Sequence, residues 1–434
     1  MKIRRIAMFA IALLAVAGLV FAGGDQEAAS SGSGKVVVNT MAYGNNSNAE
    51  GVNWQRIVDE FEAANPNIDI QYELLYDEAY HQKVTARLAA NDVPDLAYMG
   101  ADARWGAPWK EAGQQVDHTP WIDPAYYDMN LIPPMGPNGE IYEIPLGTSN
   151  ITTVLFVNEA LINDLGYEVP STYQEWVALV PAAREAGLDV WSIDGADGWA
   201  WGSCFMSAVI ARMSGDPQWV SKAVAGQNSF TDKVFVDSLA FIDRAVSDGV
   251  LSENAVLVDY GQNIANYANG QALAMIQGQW VAGDIATSSP EVAENTLLLP
   301  LPKLPGEKAA TAGSVAAAIQ VGYGLTKDGA SDPAVRDAAL KFLRYFYSHE
   351  ETTQRLLDGA IVAPILKDFV VPDELATINK QKVQLAQTAL NTDVIDAFLA
   401  GAANDALNAG MQKIASGAST PQAVAQEVQG LLNN

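Results

Sequence analysis

Extended and helical patterns alternate along the chain between residues 35 and 99, and this alternation most limits how the chain can fold. Apolar residues at Trp54, Ile57, Val58 and Phe61 lie on one face of a predicted helix. The order is strand, helix, strand, helix, strand, over residues 35–41, 50–64, 68–75, 80–90 and 94–99. This order is typical of a doubly wound parallel sheet flanked by helices, so the sequence predicts an α/β fold.

Three later extended passages predict that the chain crosses between two lobes. They are followed or separated by predicted helices at residues 172–185, 204–213, 234–247, 333–348, 394–416 and 420–432. The crossings and hinges are expected near residues 147–153, 296–301 and 360–364. The first lobe would then comprise residues 35–148 plus 302–360, and the second residues 149–301 plus 361–434. A chain of 434 residues is too long for one ordinary core, which agrees with two lobes and a cleft between them.

The first 22 residues have the pattern of a cleavable export signal. A basic start with Lys2, Arg4 and Arg5 precedes an apolar run, and a small residue, Ala22, ends it. Residues 23–34 predict a flexible linker rich in glycine and serine. We expect a periplasmic protein that is exported and soluble, without a lipid-anchoring cysteine; a retained membrane anchor is the alternative.

Charge and cysteine content exclude several classes of function. The formal net charge of −26 would repel nucleic acid and an anionic membrane surface. Cys204 is the only cysteine, so no internal disulfide can form. His81, His118 and His349 lack the neighbours of a transition-metal site, and we expect neither a metal nor a cofactor.

The strongest local signal for a ligand site is an apolar run that ends in glycine and tryptophan. Residues 272–277 read as a buried strand, followed at once by Gly278, Gln279 and Trp280. Ligands of open α/β sheets bind where strands end, and an indole ring offers a flat face to the C–H surface of a pyranose. The sequence therefore predicts a sugar site around Trp280, with Gln279 as a polar neighbour; the alternative is that Trp280 is ordinary core.

Several fragments together resemble the extracellular solute-binding proteins of ABC importers, in the sugar-binding family that includes maltose-binding protein. The resemblance covers nearly all of the expected mature chain. The matching fragments are residues 61–68, 94–96, 157–158, 169–176, 274–280, 338–343 and 416–425. It implies a two-lobe periplasmic-binding-protein fold (type II-like). Each lobe would be a mainly parallel sheet flanked by helices, with the ligand cleft between the lobes and a membrane permease that reads the closed form.

The resemblance also assigns site residues where the motifs match. Trp280 stands where a ring stacks on sugar, and Arg104-Trp105-Gly106 matches a turn after the third strand, with the usual acid displaced to Asp102. The loop after the first strand usually supplies polar side chains, here Asn45, Asn46 and further along Asn48. Where maltose-type proteins carry aromatic rings on a late helix, this chain has Asn404, Asp405 and Asn408, which argues against a long maltodextrin.

Other candidates come from local pattern alone. Trp199 and Trp201 lie in a glycine-flanked loop and either contact ligand or form the buried face of a short strand. Tyr80, with its neighbour His81, begins a helix near the expected cleft. For Arg104 and Asp102 the alternative is a surface ion pair.

The predicted function is the high-affinity substrate-binding component of a carbohydrate importer. It would capture a mono- or oligosaccharide by hinge closure and deliver it to an ABC permease as a monomer, without catalysis. The main alternative is a binding protein for another polar solute, such as a polyol, a sugar acid or glycerol phosphate. An exported carbohydrate-active enzyme would need a catalytic carboxylate pair that no spacing identifies, and G-x-S-x-G and P-loop motifs are absent from the sequence.

Overall fold

The computed structural model describes residues 34–132, 134–147, 150–252, 254–318, 321–360 and 364–433. The expected signal peptide, residues 1–22, lies outside the described residues, as does the expected linker apart from its last residue. The distribution of internal contacts divides the chain into two units, Met1–Lys35 and Val36–Asn434. The first unit is described only at Gly34 and Lys35.

The first third of the chain forms the alternating elements that its sequence predicts. They are β1 (Val36–Tyr43), α1 (Ala49–Ala64), β2 (Ile68–Leu75), α2 (Glu78–Ala89), β3 (Leu96–Met99), α3 (Ala107–Glu111) and β4 (Ile144–Pro145). Asn48 begins α1 by accepting a hydrogen bond from the Gly51 backbone N–H, the usual role of an N-cap residue. The predicted apolar stripe of α1, including Trp54 and Phe61, is buried.

The middle of the chain forms a second set of strands and helices. They are β5 (Asn150–Ile151), β6 (Val154–Asn158), α4 (Glu159–Asp164), α5 (Tyr173–Ala186), β7 (Asp189–Ser192), α6 (Ser207–Ser214), α7 (Trp219–Val224), α8 (Lys233–Ser247), α9 (Tyr260–Ala268), β8 (Ala272–Gln277), α10 (Val281–Ser288), α11 (Pro290–Glu294) and β9 (Thr296–Leu299). A single π-helical stretch, Trp201–Met206, leads directly into α6, where the sequence predicts one regular helix.

The last part of the chain returns to the first sheet and then supplies helices. Its elements are β10 (Val315–Ala318), β11 (Gly322–Leu325), α12 (Lys327–Ser331), α13 (Pro333–Phe346), α14 (His349–Leu357), α15 (Thr377–Thr388), β12 (Asn391–Thr392), α16 (Ile395–Phe398), α17 (Gly401–Ala415) and α18 (Pro421–Leu432). The helix predicted over residues 394–416 is therefore two helices, α16 and α17. Thr420 caps α18 as its sequence predicts.

The described strands form two lobes, each with a central sheet. The first-lobe sheet has the order β2-β1-β3-β11-β4, and the second-lobe sheet has the order β7-β8-β6-β9. Alternate residues of β6 serve both faces of the second sheet: Leu155 and Val157 join one apolar core, and Val154 and Phe156 join the other. A three-stranded sheet, β12-β10-β5, packs against these second-lobe cores.

Both main sheets are mixed, whereas the sequence predicts mainly parallel ones. β1 is parallel to β2 and β3, but β11 is antiparallel to β3 and β4. In the second lobe β7 and β8 are parallel, while β6 is antiparallel to both β8 and β9. The antiparallel strands are those through which the chain leaves or re-enters a lobe, so no helical crossover precedes them.

Two crossings lie later in the chain than the sequence predicts. Residues 302–314 stay with the second lobe, because Arg212 of α6 donates hydrogen bonds to the Leu301 and Pro302 carbonyls. The chain re-enters the first lobe only between β10 and β11. Ile365 and Leu366 then pack in the first-lobe core, so the last crossing precedes α15 and does not lie at residue 360.

Candidate ligand-binding site

A cavity lies between the two lobes, at the carboxyl ends of first-lobe strands and of β8. It encloses about 1110 Å³, open solvent at its mouth included, and is called the inner cavity below. The first lobe contributes the turns after β1, β2 and β3 and the start of α1. The second contributes the residues after β8, the loop before the π-helical stretch, and parts of α9, α10, α15 and α16. Such strand ends are the usual ligand site of open α/β sheets.

Aromatic rings from both lobes form a continuous wall of the inner cavity. In the second lobe the Trp199 ring lies 6.1 Å from that of Trp280 and 6.0 Å from that of Tyr260, measured between centroids. Tyr260 is 6.1 Å from Tyr76 of the first lobe, which is 5.0 Å from Tyr43. These rings offer flat apolar faces that lose little rotamer freedom when a ligand stacks on them.

The position of Trp280 depends on the glycine two residues before it. The ring of Trp280 folds back over Gly278, and a Cβ at that glycine would lie 2.1 Å from the ring. Trp280 is partly buried and lines the inner cavity, while Gln279 beside it is buried and also lines it. The glycine-tryptophan pattern therefore places an indole face at the end of β8, as the sequence predicts.

Two buried N–H donors at the cavity wall have no partner in the part of the chain that the structure describes. Asn48 is 8% exposed, and its Oδ1 accepts from the Asn45 and Gly51 backbone N–H groups, which fixes the amide so that Nδ2 remains unused. The indole Nε1 of Trp199, a residue 9% exposed, is the second such donor. Buried donors normally find an acceptor, so this wall is suited to ligand oxygens.

Asp77 lies at the cavity in a backbone conformation that costs free energy. Its φ of 53° and ψ of −140° are uncommon for a residue with a side chain. Its carboxylate does not cap α2; it accepts from the Glu78 backbone, and no side chain of the described residues is hydrogen-bonded to it. Burial raises its pKa to about 6, an effect that the nearby positive charge of Arg104 opposes. Strain and a carboxylate that no side chain engages together point to a binding role.

Arg104 connects the two lobes at the wall of the inner cavity. Its guanidinium donates to Glu78 Oε1 at 2.5 Å in its own lobe and to Asp396 Oδ2 at 3.3 Å in the other. It also donates to His81 Nε2 and lies 5.7 Å from the centre of the Trp199 ring. Arg104 is therefore held in place by side chains of both lobes.

Asp102 shapes the turn that presents Arg104. Its Oδ1 accepts from the backbone N–H groups of Arg104 at 3.0 Å and of Trp105 at 2.6 Å. Burial raises the pKa of Asp102 to about 7. The surface ion pair that the sequence leaves open for these two residues is absent, because the carboxylate faces the backbone.

The lobes are in contact across the cleft in this structure. The hydroxyls of Tyr76 and Tyr260 are 3.0 Å apart, and the Ala103 N–H donates to the Ala397 carbonyl at 3.0 Å. With the Arg104–Asp396 pair, these contacts hold the lobes together beside the aromatic wall. The arrangement has the form of a closed hinged protein.

A buried group of charges borders another part of the inner cavity. Glu50 of α1 faces Asp284 of α10 and Lys382 of α15, and Lys382 Nζ donates to the Gly359 carbonyl at 2.7 Å. Burial raises the pKa of Glu50 to about 7 and of Asp284 to about 6, and it lowers that of Lys382 to about 8. Both lobes contribute charges to this group, so lobe closure brings them together.

A second groove adjoins the inner cavity and shares Arg104, Trp105, Trp199 and Asp396 with it. This outer groove is lined by the start of α2 and by one face of α17. The shared residues separate the two spaces, and the Arg104–Asp396 pair lies in that boundary.

The structure distributes the sequence-predicted residues among three places. The inner cavity holds Trp280, Gln279, Trp199, Arg104, Trp105 and Asp102. The outer groove is lined by Tyr80, His81, Asn404, Asp405 and Asn408. Neither space is lined by Asn45, Asn46 or Trp201.

The residues outside both spaces have structural roles that local sequence does not reveal. The Asn45 side chain accepts from the Ser47 and Asn48 backbone N–H groups, and that of Asn46 accepts from Gln55. Trp201 is fully buried, and its Nε1 donates to the Gly195 carbonyl. The π-helical stretch turns this ring into the core.

Several residues of the inner cavity are not among those that the sequence predicts. They are Tyr43, Glu50, Tyr76, Asp77, Tyr260, Asp284, Lys382 and Asp396. Tyr43, Tyr76 and Asp77 end or follow the first two strands directly, so the strand-end rule that identified Trp280 was sufficient to find them. The others lie on helices, where no local pattern marks a cavity face.

A family model described as "Bacterial extracellular solute-binding protein" matches residues 45–353. The chain belongs to this family. The match includes the first-lobe turns and the residues after β8, so it spans most of the inner cavity. Among the described residues, no group of three or more His, Cys, Asp and Glu side chains is placed to hold a metal ion, and no helix is long and apolar enough to cross a membrane.

Several proteins similar to this chain carry sugar-binding names. The chain is 24% identical over 298 residues to "Multiple sugar-binding protein" of Streptococcus mutans, a match that covers 67% of this chain and 69% of the relative. A solved structure described as "Chitin oligosaccharide binding protein" aligns with a TM-score of 0.77 at 20% identity, over 91% of this chain and 98% of that one. "Maltose bound T. maritima MalE3" aligns with a TM-score of 0.72 at 18% identity, over 92% and 99%. These likenesses show the two-lobe α/β fold.

Proposed function

We propose that this protein binds a carbohydrate reversibly between its lobes and presents it to an ABC permease. The observation that supports this most directly is the inner cavity, where both lobes contribute aromatic faces and polar groups around one space. A pyranose has apolar C–H faces and a rim of hydroxyls, and this wall offers partners for both.

The geometry suggests a role for each part of the wall. The Trp280 and Trp199 rings stack on the sugar faces, while Asn48 Nδ2 and Trp199 Nε1 donate to ring or hydroxyl oxygens. Asp77 accepts from hydroxyls, and its charge makes those hydrogen bonds stronger than neutral ones. Because these groups come from two lobes, only the closed form contacts the sugar from both sides, and binding shifts the population toward closure.

The relatives support a sugar in preference to other polar solutes. The Streptococcus mutans relative is named for sugars, and the aligned structures include proteins named for chitin oligosaccharides and maltose. Their low identity does not carry a particular sugar over to this chain. The ligand class is therefore proposed as a carbohydrate, with its identity left to experiment.

The cavity is proposed to bind its ligand without chemical change. The carboxylates at its wall are all engaged with backbone groups, Arg104 or Lys382, so no pair presents itself as acid and nucleophile. The rest of the proposal is a periplasmic monomer, exported by residues 1–22, with its lobes separating near the crossings to release the sugar at the permease.

The test is a screen of mono-, di- and trisaccharides by thermal shift and tryptophan fluorescence. A bound sugar raises the unfolding temperature, because it stabilises only the folded form. Trp280→Ala should weaken binding of the best sugar by about 1–3 kcal/mol. Trp121→Ala is the matched control, since Trp121 is also partly buried but lines neither cavity. Equal losses in the two variants, or no response to any sugar, would refute the proposal.

A further inference from the structure

The charges at the wall of the inner cavity are unequal. Five carboxylates line it against two cationic side chains. The carboxylates belong to Glu50, Asp77, Asp102, Asp284 and Asp396, and the cations are Arg104 and Lys382. A ligand that enters and loses its water therefore meets an excess of negative charge.

Both cations are already engaged by the protein. The Arg104 guanidinium makes charged contacts with Glu78 and Asp396. Lys382 donates to the Gly359 carbonyl and lies close to Glu50 and Asp284. Neither group is available to neutralise a ligand carboxylate or phosphate without losing those partners, and an unpaired buried charge is costly.

Asp77 is the carboxylate left for a ligand. It accepts a hydrogen bond from the Glu78 backbone, but no side chain of the described residues is hydrogen-bonded to it. Burial raises its pKa, the nearby Arg104 opposes that effect, and the carboxylates of Glu78 and Asp197 add to it. The unused buried donors of Asn48 and Trp199 indicate in addition that this wall receives a polar molecule.

We propose that the inner cavity selects its sugar by charge, preferring a sugar that carries a protonated amine, accepting the uncharged sugar and rejecting the sugar acid. Asp77 is the residue that sets this order. The amine would pair with the Asp77 carboxylate beside aromatic faces that attract cations. A ligand carboxylate would instead face a like charge, and such contacts suppress wrong partners. This inference rests on the proposed carbohydrate function.

The experiment compares sugars that differ only at carbon 6. The probes are the 6-amino-6-deoxy sugar, the parent sugar and the uronate in the gluco, galacto and manno series, titrated calorimetrically at pH 7.5 and low salt. We expect the amine to bind at least about tenfold more tightly than the uronate in the series that binds best. Asp77→Asn should reduce that ratio by about tenfold. Asp59→Asn, the same charge change at an exposed site of α1 outside both cavities, should leave it unchanged.

Each result has a distinct meaning. A uronate that binds as tightly as the parent sugar overturns charge selection and leaves the carbohydrate function standing. Equal loss of the ratio in Asp77→Asn and Asp59→Asn overturns the role of Asp77. Failure of all nine probes and of the wider sugar screen overturns both proposals. The wild-type ratio is informative even if Asp77→Asn does not fold, which a thermal melt would reveal.

Discussion

The hydroxyl pair of Tyr76 and Tyr260 allows a quantitative test of the link between closure and binding. One residue belongs to each lobe, and their oxygens are 3.0 Å apart beside the aromatic wall. The contact exists only when the lobes are closed. It therefore adds to the stability of the ligand-bound form without requiring that either hydroxyl touch the ligand.

The expected size of the effect follows from one neutral hydrogen bond. Such a bond contributes about 1 kcal/mol net, which corresponds to about a fivefold change in the dissociation constant. Tyr76→Phe and Tyr260→Phe should each weaken sugar binding by about fivefold. The double variant should be weakened by about the same factor and not by the product, because the two changes remove a single interaction.

Isothermal titration with the sugar that binds most tightly in the screen gives the dissociation constants of the wild type, the two single variants and the double variant. Tyr72→Phe is the control, since Tyr72 is an exposed first-lobe tyrosine that packs against Trp54 and lines neither cavity. If the losses of the single variants multiply in the double variant, the hydroxyls act independently on the ligand. If neither single variant changes the affinity, the contact contributes nothing to closure.

Two further predictions concern Gly278 and His118. Gly278→Ala should displace the Trp280 ring, because a Cβ at this position would lie 2.1 Å from it. Sugar binding should weaken about as much as in Trp280→Ala. The free energy of unfolding, measured in urea, should change less than the free energy of binding. His118 is buried with Nδ1 at the Val116 carbonyl and Nε2 accepting the Leu325 N–H, and burial lowers its pKa to about 4. As the pH falls, His118 of the unfolded chain is protonated before His118 of the folded protein. The contribution of neutral His118 to the free energy of unfolding is therefore fully present above pH 6.5, and up to about 3 kcal/mol is lost as the pH drops to 4. Urea unfolding at several pH values should show that loss reduced in His118→Gln.

The sequence predicts those parts of the site that follow directly from strand ends. Arg104 and Trp105 follow β3, and Trp280 follows β8, and all three line the inner cavity. A strand end is visible in sequence because its apolar run stops, and the sheet then delivers whatever comes next to the same edge. The same reasoning applied to β1 and β2 leads to Tyr43 and Asp77.

Local polarity was a poor guide where side chains serve the backbone. Asn45 and Asn46 follow β1 as polar residues, but the Asn45 side chain organises its own turn and that of Asn46 contacts Gln55. Asparagine favours such local hydrogen bonds, so its presence in a loop predicts a turn as well as a ligand contact. Asn48 differs because its Oδ1 caps α1 and leaves Nδ2 unused.

The lobe boundaries were misplaced because proline marks an extended chain and not a change of lobe. The passage around residues 300–305 is extended, yet the buried Arg212 holds Leu301 and Pro302 on the second lobe. That contact joins residues about ninety positions apart in the chain, and no local pattern signals it. The α/β fold itself was predictable, because it follows from the alternation of elements, and the three extended passages predicted two lobes without fixing their boundaries.

The residues that bring the lobes together are the hardest to predict from one sequence, because their partners are distant in the chain. Tyr76 meets Tyr260 across 184 positions, and Arg104 meets Asp396 across 292. Each of these pairs forms beside the rings and polar groups proposed to hold the sugar. Closure and binding therefore draw on the same set of contacts, and a measured affinity contains the free energy of both. A substitution that removes only a contact between the lobes, such as Tyr260→Phe, should consequently change the affinity through the population of the closed form.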